Sequence, residues 1–253
     1  MKKILTVIVI IVGVSLIAYF GFIKSNQSTP IYPQQTNQTR TEEYSPTINP
    51  ENFVPIINNP LYTLIPGTSF VYQSQTKDGT EKNITMVTNK TKTILGINAI
   101  EVWDRVWLND SLIEETYDWY AQDKEGNVWY LGEDSKKYEN GKIISTKGSW
   151  EAGVNNAKPG IIMKANPHIG DSYRQEYYKG EAEDMADIVS LGEKVTVPYG
   201  TFTDCLKTRD WSRIDPGANE YKYYCAKTGG MTLELNIGSG EKTELVHIDK
   251  TQK

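Results

Sequence analysis

NAIEVWDRVWL (residues 98–108), the pair Asn109-Asp110, and SLIEETYDWYAQ (residues 111–122) form the stretch that decides the fold. Apolar and polar residues alternate on both sides of a two-residue break, the pattern of two half-buried strands joined by a tight hairpin turn. If the break is the loop, paired positions sum to about 219. Val106 then faces Ile113 and Val102 faces Tyr117, while Trp107 faces Leu112, Arg105 faces Glu114 and Trp103 faces Thr116. The Arg105–Glu114 pair supports this register, and Asp104 opposite Glu115 argues against it.

Working outward, Asp123-Lys124-Glu125-Gly126 turns into NVWYLGEDSKKY, and Asn140-Gly141 turns that run back into KIISTKGSW. Asn-Gly between two strand-like runs is a strong hairpin signal. A four-strand antiparallel meander over about residues 97–150 follows, and a second β block continues through GDSYRQEYYKG to KTELVHI. The expected fold is mainly β, a curved antiparallel meander forming a half-barrel or sandwich over residues 60–253. EAEDMADI (181–188) suits a short helix and a strand equally well.

The N-terminus speaks to location. Met1-Lys2-Lys3 precedes Ile4 to Ile23, an uncharged and largely apolar run long enough, at about 30 Å, to cross one hydrocarbon core as a transmembrane helix. Its length and its aromatic end favour a retained anchor (1–24) over a cleaved signal. Lys2 and Lys3 keep the N-terminus cytoplasmic, so the rest is expected outside the membrane, in the periplasm or at the cell surface. Residues 25–59, rich in Ser, Thr, Asn, Gln and Pro, read as a tether. Of 27 Lys plus Arg and 32 Asp plus Glu, three bases lie in residues 1–24, which leaves 24 bases against 32 acids, a net charge of −8. Phosphate neutralisation of a nucleic acid is thereby disfavoured. Two His and two Cys rule out a multi-ligand zinc finger or iron–sulfur cluster, and no cofactor motif occurs.

Val195-Thr-Val-Pro-Tyr-Gly-Thr-Phe-Thr-Asp-Cys205 resembles a V-P-x-G-x-F-x-x-C strand–turn–strand element of uncharacterised exported bacterial β proteins, including domains similar to the periplasmic DUF3108 group. Pro198 presets the turn, Gly200 closes it and Phe202 enters the next strand facing the core. Residues 117–130, Gly148–Gly153, Pro159–Met163 and Gly170–Tyr178 look like a secreted family of the same kind. The resemblance implies a half-barrel and brings no activity or site residues.

Possible chemistry is sparse. Cys205 and Cys225 flank a connection containing Asp215-Pro216-Gly217, and in an oxidising compartment hairpin partners at these positions favour a disulfide over two core thiols. Glu181, Glu183, Asp184 and Asp187, with Glu176 nearby, are candidate oxygen ligands or a carboxylate pair, although a solvated acidic face explains them more simply. Asp123-x-Glu125-Gly126-Asn127 begins like a calcium loop but lacks its closing Glu and reads as a turn. There is no G-x-S-x-G elbow, and neither His168 nor His247 has a nameable partner. Trp103, Trp107, Tyr117, Trp119 and Trp129 are the candidate ligand-binding residues, for an apolar ligand such as a lipid, or for a sugar or a surface protein. Core filling is the plainer use of the same rings. The expected function is a non-enzymatic binding or interaction module outside the membrane. The alternative is a surface hydrolase acting on polysaccharide through Glu176, Glu181 or Asp184.

Overall fold

The computed structural model describes residues 44–250, so the apolar run Ile4 to Ile23 and most of the tether lie outside it. Among the described residues no helix is long and apolar enough to cross a membrane. Among the described residues the only helical piece is a single 3-10 turn, Pro50–Asn52, capped by the Asn49 side chain. The remainder is antiparallel sheet.

Eleven long strands carry the fold: β1 (Thr68–Thr76), β2 (Gly79–Ile94), β3 (Ile97–Leu108), β4 (Ser111–Asp123), β5 (Val128–Glu139), β6 (Lys158–Met163), β7 (Asp184–Val197), β8 (Gly200–Ser212), β9 (Asn219–Cys225), β10 (Gly230–Asn236) and β11 (Lys242–Lys250). They lie in the order β7-β8-β9-β10-β11-β1-β2-β3-β4-β5-β6, each antiparallel to its neighbour. One segment brings the two ends of this sheet together. Ser172–Arg174 pairs with β7 at one edge, and Glu176–Tyr177 pairs with β6 at the other. The sheet thus closes almost into a barrel, and residues 184–188 belong to a strand rather than a helix.

The decisive hairpin forms as expected at its tip and shifts beyond it. Asn109 and Asp110 both take positive φ, 47° and 64°, as a mirror-image two-residue turn requires. Trp107 faces Leu112, but Ile113 is bulged out. Past the bulge Val106 faces Glu114, Arg105 faces Glu115, Trp103 faces Tyr117 and Val102 faces Asp118. The expected pairs Val106–Ile113, Arg105–Glu114, Trp103–Thr116 and Val102–Tyr117 are therefore corrected by one residue. The slip removes the Asp104–Glu115 repulsion, because Asp104 now faces Thr116.

Residues 44–59 are packed onto the barrel. Tyr44 donates to the Pro159 carbonyl at 2.9 Å, and its ring meets Tyr177 edge-on. Ile57–Asn59 and Tyr62–Leu64 form a small hairpin whose Tyr62 ring touches both Tyr120 and Tyr224. Those two partners sit on β4 and β9, far apart in the sheet, so Tyr62 reaches across the interior. Gln122 fixes this hairpin by accepting from the backbone N–H of Asn58 and of Asn59, both at 2.8 Å.

The core divides by chemistry. Tyr62, Tyr120, Tyr130, Trp150 and Tyr224 form its aromatic part, with Tyr120 and Tyr130 stacked at 4.8 Å. Elsewhere β2 to β5 turn Glu81, Asn83, Thr85, Asp104, Glu114, Thr116, Asp118, Glu133 and Ser135 inward. Some of these are paired: Asp104 accepts from Asn83 at 2.6 Å, and Asp118 accepts from the Tyr130 hydroxyl at 2.6 Å. Lys222 lies buried among Asp210, Glu234 and Glu220 at 3.4, 3.7 and 3.9 Å. Burial opposes its charge, yet the three carboxylates together outweigh burial and raise its pKa.

Cys205 and Cys225 are disulfide-bonded, with Cα atoms 4.3 Å apart. The neighbouring pair Leu206–Tyr224 shows why: β8 and β9 are partners in the register that sets the two Cys opposite each other.

Candidate functional site

A cleft of about 430 Å³ opens beside β4 and β5, lined by Lys92, Trp119, Glu133, Asp134, Trp150, Tyr178 and the 149–157 loop. Its walls follow from two rows across the sheet. In one, Trp119 faces Gly132, which faces Glu151; in the next, Asp118 faces Glu133, which faces Trp150. A register shift between Trp119 and Tyr120 leaves Leu131 extra on β5, while Tyr120 turns into the core and Trp119, on the opposite face, is buried under Lys92. Gly132 has φ 148°, and a Cβ there would lie 2.5 Å from the Trp150 carbonyl oxygen. Only glycine lets the Trp150 strand approach this closely.

The 149–157 loop is pinned at both ends. Ser149 Oγ accepts from the Ser135 N–H at 2.9 Å and donates to the Ser135 carbonyl. Ala152 N–H donates to Leu131, and Gly153 N–H donates to Ala157, each at 2.9 Å. Lys92 forms a 2.7 Å ion pair with Glu151 while its ammonium lies 3.6 Å from the centre of the Trp119 ring. The rim is thus a bound cation on an aromatic face.

Three groups in the walls lack protein partners. Glu133 is 2% exposed and neither carboxyl oxygen makes a hydrogen bond; the indole N–H groups of Trp119 and Trp150, 7% and 5% exposed, make none either. Burial is the main cause that pushes the Glu133 carboxyl well above the usual carboxylate range, and Glu176, Asp118, Glu114 and Asp184 push it further. An unpaired buried polar group costs about 1–3 kcal/mol. Adjacent rows of the sheet set Trp119 on one face with Glu151, and Glu133 on the other with Trp150, so these unpaired groups are split between the two faces.

The aromatic residues singled out in the sequence separate here. Trp119 lines the cleft. Trp103, Trp107 and Tyr117 share its outer face farther along the sheet, where Arg105 lies 3.5 Å from the Trp103 ring centre and 5.0 Å from that of Trp107. Trp103 also donates to Glu115 at 2.9 Å and stacks on Tyr117. Trp129 packs edge-on against Phe53 and donates to Asp123 at 2.8 Å. That same Asp123 accepts from the Asn127 backbone and side chain, so the turn resembling a calcium loop spends its carboxylate on itself. Among the acids, Glu176 is fully buried and Asp184 opens β7, both within electrostatic reach of Glu133, whereas Glu181 sits in the turn after Tyr178. Among the described residues no group of three His, Cys, Asp or Glu is placed to hold a metal ion. His247 contacts Asp249 on the exposed face of β11, and His168 is exposed beside Asp171.

Two residues of the cleft escape a reading of the sequence alone. Trp150 appears there as one ring among many, and Glu133 lies in the charged run GEDSKK, which looks like surface. Comparison of the chain with protein-family models, with curated proteins and with solved structures gives no match in any of the three.

Proposed function

We propose that the chain is a membrane-anchored, extracytoplasmic, non-enzymatic binding module, with Ile4 to Ile23 as its anchor and the Glu133 cleft as its ligand site. The observation that carries this reading is a cleft of about 430 Å³ on a braced sheet, walled by aromatic and charged residues. The Cys205–Cys225 disulfide supports an oxidising compartment. Charged residues in the cleft wall favour a polar ligand over the lipid considered from composition.

The test is mass spectrometry of the full chain extracted from its own membrane. An intact mass that includes residues 1–24 and lacks two hydrogens, with a bound small molecule in the native spectrum, is the expected result. A chain shortened at its N-terminus and carrying free thiols would overturn the anchored reading.

One observation favours a second reading, glycan hydrolysis. Glu176 and Asp184 both raise the Glu133 pKa, and glycoside cleavage needs two neighbouring carboxyl groups. Release of reducing ends from an oligosaccharide would select it.

A further inference from the structure

We infer that the tip of the hairpin between β5 and the short strand Lys142–Ser145 docks on the surface of an anionic lipid bilayer; this rests on the reading of Ile4 to Ile23 as an anchor. The hairpin turns at Asn140 and Gly141, whose φ angles are 52° and 72°. Tyr138 faces Ile143 and Lys137 faces Ser145, which leaves Ile144 as the extra residue of a bulge. A regular strand sends successive side chains to opposite faces. Here the bulge breaks that alternation, and Ile143 and Ile144 both stand in solvent, 51% and 60% exposed. The similarly exposed Ile56, Ile65 and Ile169 have no exposed Ile, Leu or Val beside them in sequence. Two adjacent bare aliphatic side chains at a hairpin tip call for an apolar phase.

The charge around this pair selects an anionic partner. Residues 136–147 hold four Lys and one Glu, a net charge of +3 on a chain whose residues 25–253 carry −8. Lys136 is paired with Asp134 at 2.6 Å, while Lys142 and Lys147 are exposed on either side of the two Ile. In a bilayer the Ile side chains enter the boundary between headgroups and acyl chains, and the Lys stems run beside them with their ammonium groups at the phosphates. The length of chain outside the structure makes the contact reachable. Tyr44, where the described residues begin, donates to the Pro159 carbonyl and accepts from the Lys158 ammonium. Pro159 precedes Gly160, which faces Tyr130, so the turn lies about nine residues, roughly 30 Å, farther along β5. Residues 24–43, between the anchor and Tyr44, span about 65 Å when extended. The tether can therefore lay the tip on the membrane that holds the anchor, and it presents that surface at a high effective concentration.

The experiment reconstitutes the full chain in nanodiscs of phosphatidylcholine, alone or with about a third phosphatidylglycerol. Some of the lipids carry a nitroxide in the acyl chain. The readout is the ¹³C–¹H spectrum of the isoleucine δ1 methyl groups, which broaden only where they approach the spin label. In the anionic discs the Ile143 and Ile144 signals should be lost, and should return when ascorbate reduces the nitroxide. Those of Ile56, Ile65 and Ile169 should persist in both kinds of disc. In the neutral discs, or in the anionic discs at high salt, the Ile143 and Ile144 signals should return, since the attraction between Lys and headgroup is absent or screened. The double substitution Lys142→Gln and Lys147→Gln, on exposed side chains, should restore both signals in the anionic discs.

The failure of docking and the failure of the anchor are distinguishable. If the Ile8 and Ile17 signals are broadened while Ile143 and Ile144 stay sharp in the anionic discs, docking is overturned and the anchor stands. If the chain separates from the discs, the anchored reading falls and docking falls with it. Equal loss of Ile143 and Ile144 in neutral and anionic discs overturns the assignment to anionic lipid. Loss of Ile56, Ile65 or Ile169 in place of the hairpin pair assigns the contact to another face of the barrel and overturns the proposal. These comparisons use the wild-type chain, so a substitution that fails to fold leaves the test intact.

Discussion

Asp104→Asn should stabilise the protein at about pH 8 and change little near pH 4. In the folded chain burial raises the Asp104 carboxyl to about 7, against the hydrogen bonds from Thr85 and Asn83 that lower it. An unfolded chain ionises the same group near about 3.9. Between those values the native state keeps a proton that the unfolded state has released, so stability falls as pH rises. A gap of roughly three units corresponds to about 4 kcal/mol, and above about pH 7 all of it opposes folding. Asn carries no charge at any pH and escapes this cost. Exchanging a charge-assisted acceptor for an amide returns about 1 kcal/mol, which leaves a net gain of about 3 kcal/mol at pH 8. Urea unfolding of the full chain in nanodiscs, followed by Trp fluorescence at about pH 4, 6 and 8, measures it. The wild-type midpoint should fall along the series, helped by Glu114, whose carboxyl burial also raises to about 7. The variant's midpoint should fall less. Parallel curves for variant and wild type would refute the reasoning.

Replacing Cys205 and Cys225 together by Ser frees a loop spanning 20 residues and should cost about 3 kcal/mol, seen as a lower urea midpoint that reductant no longer changes. Gly132→Ala forces a Cβ against the Trp150 carbonyl; a loss of about 1–3 kcal/mol and altered Trp150 indole signals are expected. Gln122→Ala strips the acceptor from the Asn58 and Asn59 N–H groups, and hydrogen exchange at those two amides should accelerate at least about tenfold. Trp103→Ala should cost about 1 kcal/mol of stability through its lost Arg105 contact and leave the cleft indole signals where they are.

The tips of the hairpins were legible because turn chemistry is local: Asn109-Asp110 and Asn140-Gly141 adopt the positive φ values that their residue types favour. The register beyond the first tip was not, since a bulge at Ile113 leaves no mark in composition. Its trace was the Asp104–Glu115 clash that the simple register created, relieved when Asp104 faces Thr116. The site was hidden for a related reason. Period-two alternation reveals a strand's inner face only when that face is apolar, and here Glu114, Thr116, Asp118, Glu133 and Ser135 point inward. Such strands look polar on both sides, so Glu133 reads as surface. The polar run before Pro60 misled in the same manner, for Tyr44, Ile48, Phe53 and Ile57 are spaced too widely to show a period yet each packs against the barrel. Pairing of residues 172–177 with both ends of the sheet is set by parts of the chain remote in sequence, and no local pattern announces it.

The position of β11 bears on when folding can finish. This last strand lies inside the sheet between β10 and β1, and pairs Lys250 with Thr68. The first long strand therefore waits for the nine residues of β11 before its hydrogen bonds on that side are met. Pairing between such distant segments is slow, because loop closure precedes any reward. A chain emerging from its N-terminus stays open along β1 until Lys242–Lys250 has been made, and truncation before Lys242 removes the closing strand whole. Closure of the sheet beside β1 thus depends on the strand made after all the other described ones.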